Sequence, residues 1–199
     1  ENLLKEKGYD VFGLVNEHLS NSNYFYGDLL DKYSLLQALK ECNPEIVIHL
    51  AALTFVGLEN TSAFYQVNVL GTENLLQALY ETKCKLKKVV ITSSTNVYGS
   101  AGEGLISEKL CPMPINHYAN SKLAMEHMTR TWFDKFPIII TRPFNYSGVG
   151  QDTRFLIPKI IDHYSIGKKK IELGNIDIKR DFSDVRDVVN AISCCIESE

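Results

Sequence analysis

The chain has 199 residues, is 45% hydrophobic and 23% charged, and carries a net charge of −3. Those values suit a soluble globular protein with one sizeable core and part of a second. They give no electrostatic reason to expect nucleic acid or an anionic membrane as a partner, and no apolar run approaches the length of a transmembrane helix. Five cysteines (Cys42, Cys84, Cys111, Cys194, Cys195) show no metal-ligand spacing. Adjacent Cys194 and Cys195 read as buried helix residues, so no metal is expected and a reducing cytoplasm fits best. The opening Glu1-Asn2-Leu3-Leu4-Lys5 does not read as a signal peptide.

In chain order, Asn2 to Gly8 reads as the end of a helix closed by a glycine, and Asp10 to Val15 as a strand. Tyr24-Phe25-Tyr26 is a short strand leading into Gly27-Asp28-Leu29, where Asp28 suits an N-cap or first-turn acid for a helix from about Asp31 to Glu41. Pro44 separates that helix from the buried strand Ile46 to Leu50. His49 reads as a packed strand residue, and Ala51 and Ala52 follow it. A helix is expected from Ser62 to Thr82, with Phe64, Val67, Leu70, Leu75 and Leu79 at helical spacing. Inside it Asn68 is a mediocre helix former, and Gly71 permits close packing on a sheet.

Lys88-Val89-Val90-Ile91-Thr92 is a β-branched run that reads as a buried parallel strand, ending at Ser93 and Ser94. A turn follows at Thr95-Asn96-Val97-Tyr98-Gly99. The loop from Gly99 to Asn116 holds Glu103 and Glu108. A helix runs from Tyr118 to Lys135, then a strand from Ile138 to Arg142, ended by Pro143-Phe144-Asn145. Beyond residue 150 the pattern changes: a helix from Phe155 to Tyr164, a short strand Lys169 to Leu173, a turn at Gly174-Asn175, and a final helix reaching Glu199. The basic run Lys168 to Lys170 reads as a solvated face.

Tyr118 and Lys122 stand one helical turn apart on one face. A lysine ammonium beside a phenol favours the phenolate, and the pair can move a proton to or from an alcohol oxygen. Ligands in open α/β sheets sit at the carboxyl ends of strands, which is where Ser93 and Ser94 stand. This serine–tyrosine–lysine arrangement resembles the short-chain dehydrogenase/reductase superfamily. The words His49-Leu50-Ala51-Ala52, Asn68-Val69-Leu70-Gly71-Thr72, Val97-Tyr98-Gly99 and Arg142-Pro143-Phe144-Asn145 resemble its extended branch, which modifies nucleotide sugars. Gly174-Asn175 with Arg180-Asp181-Phe182-Ser183-Asp184-Val185-Arg186-Asp187 is most similar in pattern to GDP-4-keto-6-deoxy-mannose reductases and GDP-mannose 4,6-dehydratases.

The resemblance implies a Rossmann-like, doubly wound parallel sheet over residues 1–150 and part of a nucleotide-sugar lobe over 151–199. The family begins with a strand and a glycine-rich turn that holds the cofactor pyrophosphate. No G-x-x-G-x-x-G occurs here, so the chain is expected to start inside the helix that follows that turn. The cofactor is expected to be NAD or NADP. Asn16, just past the second strand, selects neither. Asp28 and Leu29 approach the adenine, Leu50, Ala51 and Ala52 let the cofactor lie against the backbone, and Asn68 contacts it or supports the site. Ser93, Tyr118, Lys122 and Pro143 complete the cofactor set.

Tyr118, Lys122 and Ser94 are the implied catalytic residues. Ser94, Asn96, Asn145 and Arg180 are the implied substrate contacts, with a surface ion pair to Asp177 or Asp181 as the other role for Arg180. The implied chemistry is hydride transfer at sugar C4, with a 4-ketoreductase of a GDP-4-keto-6-deoxy sugar as the first reading. A 4-epimerase, a 4,6-dehydratase and a non-catalytic scaffold on the same fold are the alternatives. A dehydratase of this family commonly carries a glutamate where Asn96 stands. A homodimer is expected through a four-helix bundle, with Leu123, Met128 and Trp132 offering apolar contacts.

Overall fold

The most buried strand is β4 (Lys88–Thr92), all five residues of which are out of solvent. Its β-branched residues suit a strand covered on both faces. β4 is the middle of a three-stranded parallel sheet, between β3 (Ile46–His49) and β5 (Ile138–Thr141), with Val89 opposite both Val47 and Ile138. The computed structural model describes residues 1–17, 22–55, 59–100, 104–174, 176–177 and 179–198.

The chain enters through helix α1 (Asn2–Glu6). Gly8, at φ +84°, closes it, with the Gly8 and Tyr9 N–H groups donating back to the Lys5 and Leu4 carbonyls. β1 (Gly13–Val15) and β2 (Tyr24–Tyr26) form a separate parallel pair. Helix α2 (Lys32–Cys42) is capped by Asp31, whose side chain accepts from the Tyr33 N–H. Asp28 is therefore not the N-cap: it accepts from the Leu30 N–H and shapes the turn before the helix. α2 ends on Asn43 in the left-handed region, one residue before Pro44.

The helix expected over residues 62–82 is present in three parts: α3 (Ser62–Tyr65), a π-helical turn (Gln66–Leu70) and α4 (Gly71–Thr82). Phe64, Leu75 and Leu79 are buried as their spacing predicts, but Leu70 is 57% exposed. The wider π turn rotates the downstream residues out of simple helical phase. Gly71 packs against Leu29, not against a sheet; a Cβ on it would come within 2.9 Å of the Leu29 Cβ.

Helix α5 (His117–Thr129) is capped by Asn116 and ends in a 3₁₀ turn (Arg130–Trp132). α2, α4, β4 and α5 share the core cluster of Leu35, Leu76, Leu79, Val89, Ile91 and Met125. After β5, β6 (Asn145–Ser147) pairs in parallel with β7 (Phe182–Asp184), and helices α6 (Leu156–Ser165) and α7 (Val185–Glu197) complete the chain. Asn145 is thus a strand residue and not a turn residue.

Lys169–Leu173 is not a strand: no neighbouring strand pairs with it among the described residues, and a lone segment has no ladder. Glu103, His18, Asn175 and Glu199 lie outside the described residues. The parallel strands fall into groups of two, three and two, not one continuous ladder, and residues on β1, β3 and the turn before α2 line a cleft of about 820 Å³. Among the described residues no helix is long and apolar enough to cross a membrane.

Candidate active site

The carboxyl end of β4 opens into a second cleft, of about 380 Å³. Ser94 leaves the strand in extended conformation and its Oγ accepts from the Asn96 N–H at 3.2 Å, starting a 3₁₀ turn over Thr95–Tyr98. That bond holds the Ser94 hydroxyl at the cleft wall. Across from it, the N-terminal part of α5 presents Tyr118 and Lys122, both buried, at 8% and 3% exposure. The Ser94 side chain and the Tyr118 phenol line the same cleft wall, close enough for the hydroxyl to act on the phenol. The Lys122 ammonium donates to the Thr92 carbonyl at 2.7 Å, the end of the same strand that carries Ser94. Three residues distant in sequence therefore meet at one strand end.

Burial pushes the Tyr118 phenol above its usual pKa; the neighbouring Ser94 hydroxyl opposes this and Tyr146 adds to it. This differs from the expectation that Lys122 would pull the phenol down. The ammonium is directed to the Thr92 backbone carbonyl, and desolvation sets the direction of the shift at Tyr118. Burial lowers Lys122 itself to about 8, with Glu126 acting in the opposite sense.

Asn68 lines neither cleft. It is fully buried in the π turn, where its Oδ1 accepts from the Leu53 N–H at 2.8 Å and its Nδ2 donates to the Leu53 carbonyl and the Ser121 Oγ, each at 3.0 Å. Ser121 in turn donates to the Tyr118 carbonyl at 2.7 Å. Asn68 thus fastens the segment leaving β3 to the helix bearing Tyr118 and Lys122. The π turn widens the helix to make room for this side chain.

His49 is buried, 2.9 Å from the Thr72 Oγ1, and burial lowers its pKa to about 4. Thr72 gives its only hydroxyl proton to the Asn68 carbonyl. His49 must therefore be the donor, as a neutral imidazole protonated on Nε2. It is a packed residue, as its place in the strand predicts.

The sequence-predicted groups divide between the two clefts. Leu50, Ala52, Ser93, Ser94, Asn96, Tyr118, Lys122, Pro143, Asn145 and Arg180 line the smaller one. Asn16, Asp28, Leu29 and Ala51 line the larger one, and Leu50 and Ala52 border both. The Thr92 and Ser93 hydroxyls are buried at the wall of the smaller cleft with no hydrogen-bond partner among the described residues. Such orphaned polar atoms fit a polar ligand group seated beside Lys122.

Tyr146, Gln151 and Phe155 also line this cleft and had no signal in the sequence. Tyr146 reaches it on β6, paired with the distant β7, and the segment after β6 brings in Gln151, which donates to the Tyr146 carbonyl, and Phe155, the residue before α6. Among the described lining residues there is no aspartate or glutamate. Glu108, the described acid of the preceding loop, is exposed and outside the cleft.

Parallel strands between helices, with serine, tyrosine and lysine converging at a strand end, define a site of the short-chain dehydrogenase/reductase type. The chain belongs to the family described as GDP-mannose 4,6 dehydratase, whose sequence profile matches residues 2–199. It is 39% identical over 99% of its length to a GDP-6-deoxy-D-talose 4-dehydrogenase of Aggregatibacter actinomycetemcomitans, and 38% identical over 82% to a GDP-6-deoxy-D-mannose reductase of Pseudomonas aeruginosa. It spans 66% and 57% of those relatives' lengths. The solved structure of RMD from Pseudomonas aeruginosa complexed with NADPH superposes at a TM-score of 0.78 with 37% identity, over 86% of this chain and 60% of that one.

Proposed function

We propose that this chain carries the catalytic half of a nicotinamide-dependent 4-ketoreductase acting on a GDP-linked 4-keto-6-deoxy sugar. The observation that supports it most is the composition of the smaller cleft: Ser94, Tyr118 and Lys122 converge there, and no carboxylate lines it among the described residues. Reduction of a ketone needs one proton donor and one hydride donor. A 4,6-dehydratase must also move protons at C5 and C6, which calls for further acid–base groups. Asn96 stands in the cleft and cannot ionise to supply one. The GDP-linked 6-deoxy sugars in both relatives' names, and the position 4 in that of the talose dehydrogenase, support the substrate class.

The complex of RMD with NADPH supports a nicotinamide dinucleotide as cofactor, either NAD or NADP, since Asn16 favours neither. Asn16, Asp28, Leu29 and Ala51 would line its adenosine end, with Leu50 and Ala52 at the junction. Ser93, Pro143 and Lys122 would hold the nicotinamide end. A reduced nicotinamide bound there supplies the hydride that reduces the carbonyl carbon.

Tyr118 gives its phenolic proton to the carbonyl oxygen. Its raised pKa keeps it protonated at neutral pH, the state a reduction requires. Ser94 donates a hydrogen bond to the same oxygen and polarises it. The Lys122 charge offsets the negative charge left on Tyr118 once the proton has gone. Asn145 and Arg180 line the outer part of the cleft, where Arg180 suits the substrate diphosphate.

Replacing Tyr118 with Phe removes the hydroxyl and little else. In the full-length protein it should lower turnover about 10²–10⁴-fold while the far-ultraviolet dichroism is unchanged. A Phe variant that turns over at the parental rate would rule out Tyr118 as the proton donor.

A further inference from the structure

The cleft described above does not account for a buried ion pair directly behind it. Glu126 lies on α5 one turn beyond Lys122, with its side chain 3% exposed, and Arg142 follows the last residue of β5, with its side chain 17% exposed. The guanidinium grips the carboxylate with two bonds, Nε to Oε1 at 2.8 Å and NH2 to Oε2 at 2.5 Å. Its remaining arm donates to the Tyr98 hydroxyl, and its plane lies 5.0 Å from the Tyr98 ring centre. Tyr98 is buried and ends the 3₁₀ turn that begins at Ser94. Arg142 immediately precedes Pro143, at the cleft wall. One ion pair thus ties together the Ser94 turn, the helix of Tyr118 and Lys122, and the exit of β5.

Charges near Lys122 come from several elements. Tyr118 and Glu126 share its helix, and His49 on β3 is neutral. Arg142 engages the Glu126 carboxylate, and the Tyr98 hydroxyl accepts from Arg142. Tyr146 on β6 acts on Tyr118. Among these groups Glu126 is the one that opposes the effect of burial on Lys122.

We propose that Glu126 and Arg142 are positioning residues: their two-pronged pair locks α5 onto the two strand exits that carry the other site groups, and the Glu126 carboxylate, one turn from Lys122, keeps that lysine charged. The proposal rests on the role given to Lys122 in the reductase reading, but its test does not need turnover. A buried charge that loses its counter-charge loses its preference for the ionised form.

The test follows the lysine Cε signals of the full-length protein by carbon-13 NMR across a pH titration, with Lys122 assigned by Lys122→Arg. Glu126→Gln keeps the shape of the side chain and, through its one remaining oxygen, a single bond from Arg142. It should move the Lys122 midpoint down by about one unit. Glu126→Asp keeps the charge and should restore most of the shift. The double variant Glu126→Leu, Arg142→Met removes both charges and is expected to fold, since apolar replacement of a whole buried pair is often tolerated. Its midpoint should also fall below that of the parent. In any variant that turns over, the alkaline limb of the rate profile should move with the midpoint. A folded Glu126→Gln or double variant whose Lys122 titrates as in the parent would overturn the proposal. Loss of turnover with a shifted midpoint would support it whatever the substrate proves to be.

Discussion

Single residues carry the chemistry, and several were legible because their signal is local. Tyr118 and Lys122 sit one turn apart on a helix, and Ser94 ends a β-branched run, so their local positions follow from spacing, while their grouping into one site rests on the family resemblance. His49 reads as a strand residue for the same reason, and its burial yields a test. Its pKa is about 4 in the folded chain against 6.5 when exposed. Between those values the unfolded chain binds a proton that the folded chain does not. Stability contributed by neutral His49 is therefore intact above pH 6.5 and is lost as the pH falls towards 4. From pH 7 to 4.5 this costs about 2–3 kcal/mol. His49→Gln retains a donor for Thr72 and should flatten the pH dependence of urea unfolding by that amount. An identical slope in both proteins would contradict the assignment. Tyr146 and Gln151 were not legible, because no local pattern marks the long-range pairing that brings them to the cleft.

At the level of elements, most helices and strands appear where periodicity and capping put them. The exceptions share a physical cause, dependence on a distant partner. Lys169–Leu173 has strand-like composition but no described neighbour to pair with. The π turn around Asn68 exists because that side chain bonds Leu53 and Ser121, which the helix's own sequence does not announce. Gly99 shows the opposite case, a turn residue whose need is local. It closes the Ser94 turn at φ +61°, and a Cβ there would come within 2.0 Å of the Met113 carbonyl oxygen. Gly99→Ala should destabilise the protein by about 1–3 kcal/mol through strain and a displaced loop. It should also lower turnover by disturbing Ser94. Denaturant unfolding of the variant checks this, and an unchanged midpoint would show that the loop yields freely.

On the scale of the whole molecule, the parallel α/β architecture was readable, but the division of the strands was not, since register across a sheet is a tertiary property. The proposed homodimer also changes in detail. Trp132 stacks on Phe136 and donates to Glu73, and Met128 packs on the core, so each offers only its exposed part to a bundle seam. Leu70 just before α4, Tyr80 within α4 and Phe133 beyond α5 are exposed apolar residues of that region. Leu70→Glu with Tyr80→Glu should convert a dimer to monomers by light scattering. A full-length parent that is already monomeric at micromolar concentration would refute the dimer. The reductase reading makes a sharper demand, because the competing activities differ in their use of cofactor. A 4-ketoreductase consumes one reduced nicotinamide per sugar, whereas a 4-epimerase and a 4,6-dehydratase return the hydride and consume none. The direct measurement is absorbance at 340 nm when full-length protein receives GDP-4-keto-6-deoxy-mannose with NADPH or NADH. The account predicts stoichiometric loss of absorbance, abolished in Tyr118→Phe. Constant absorbance with either cofactor, or formation of a 4-keto-6-deoxy product from GDP-mannose, would contradict it.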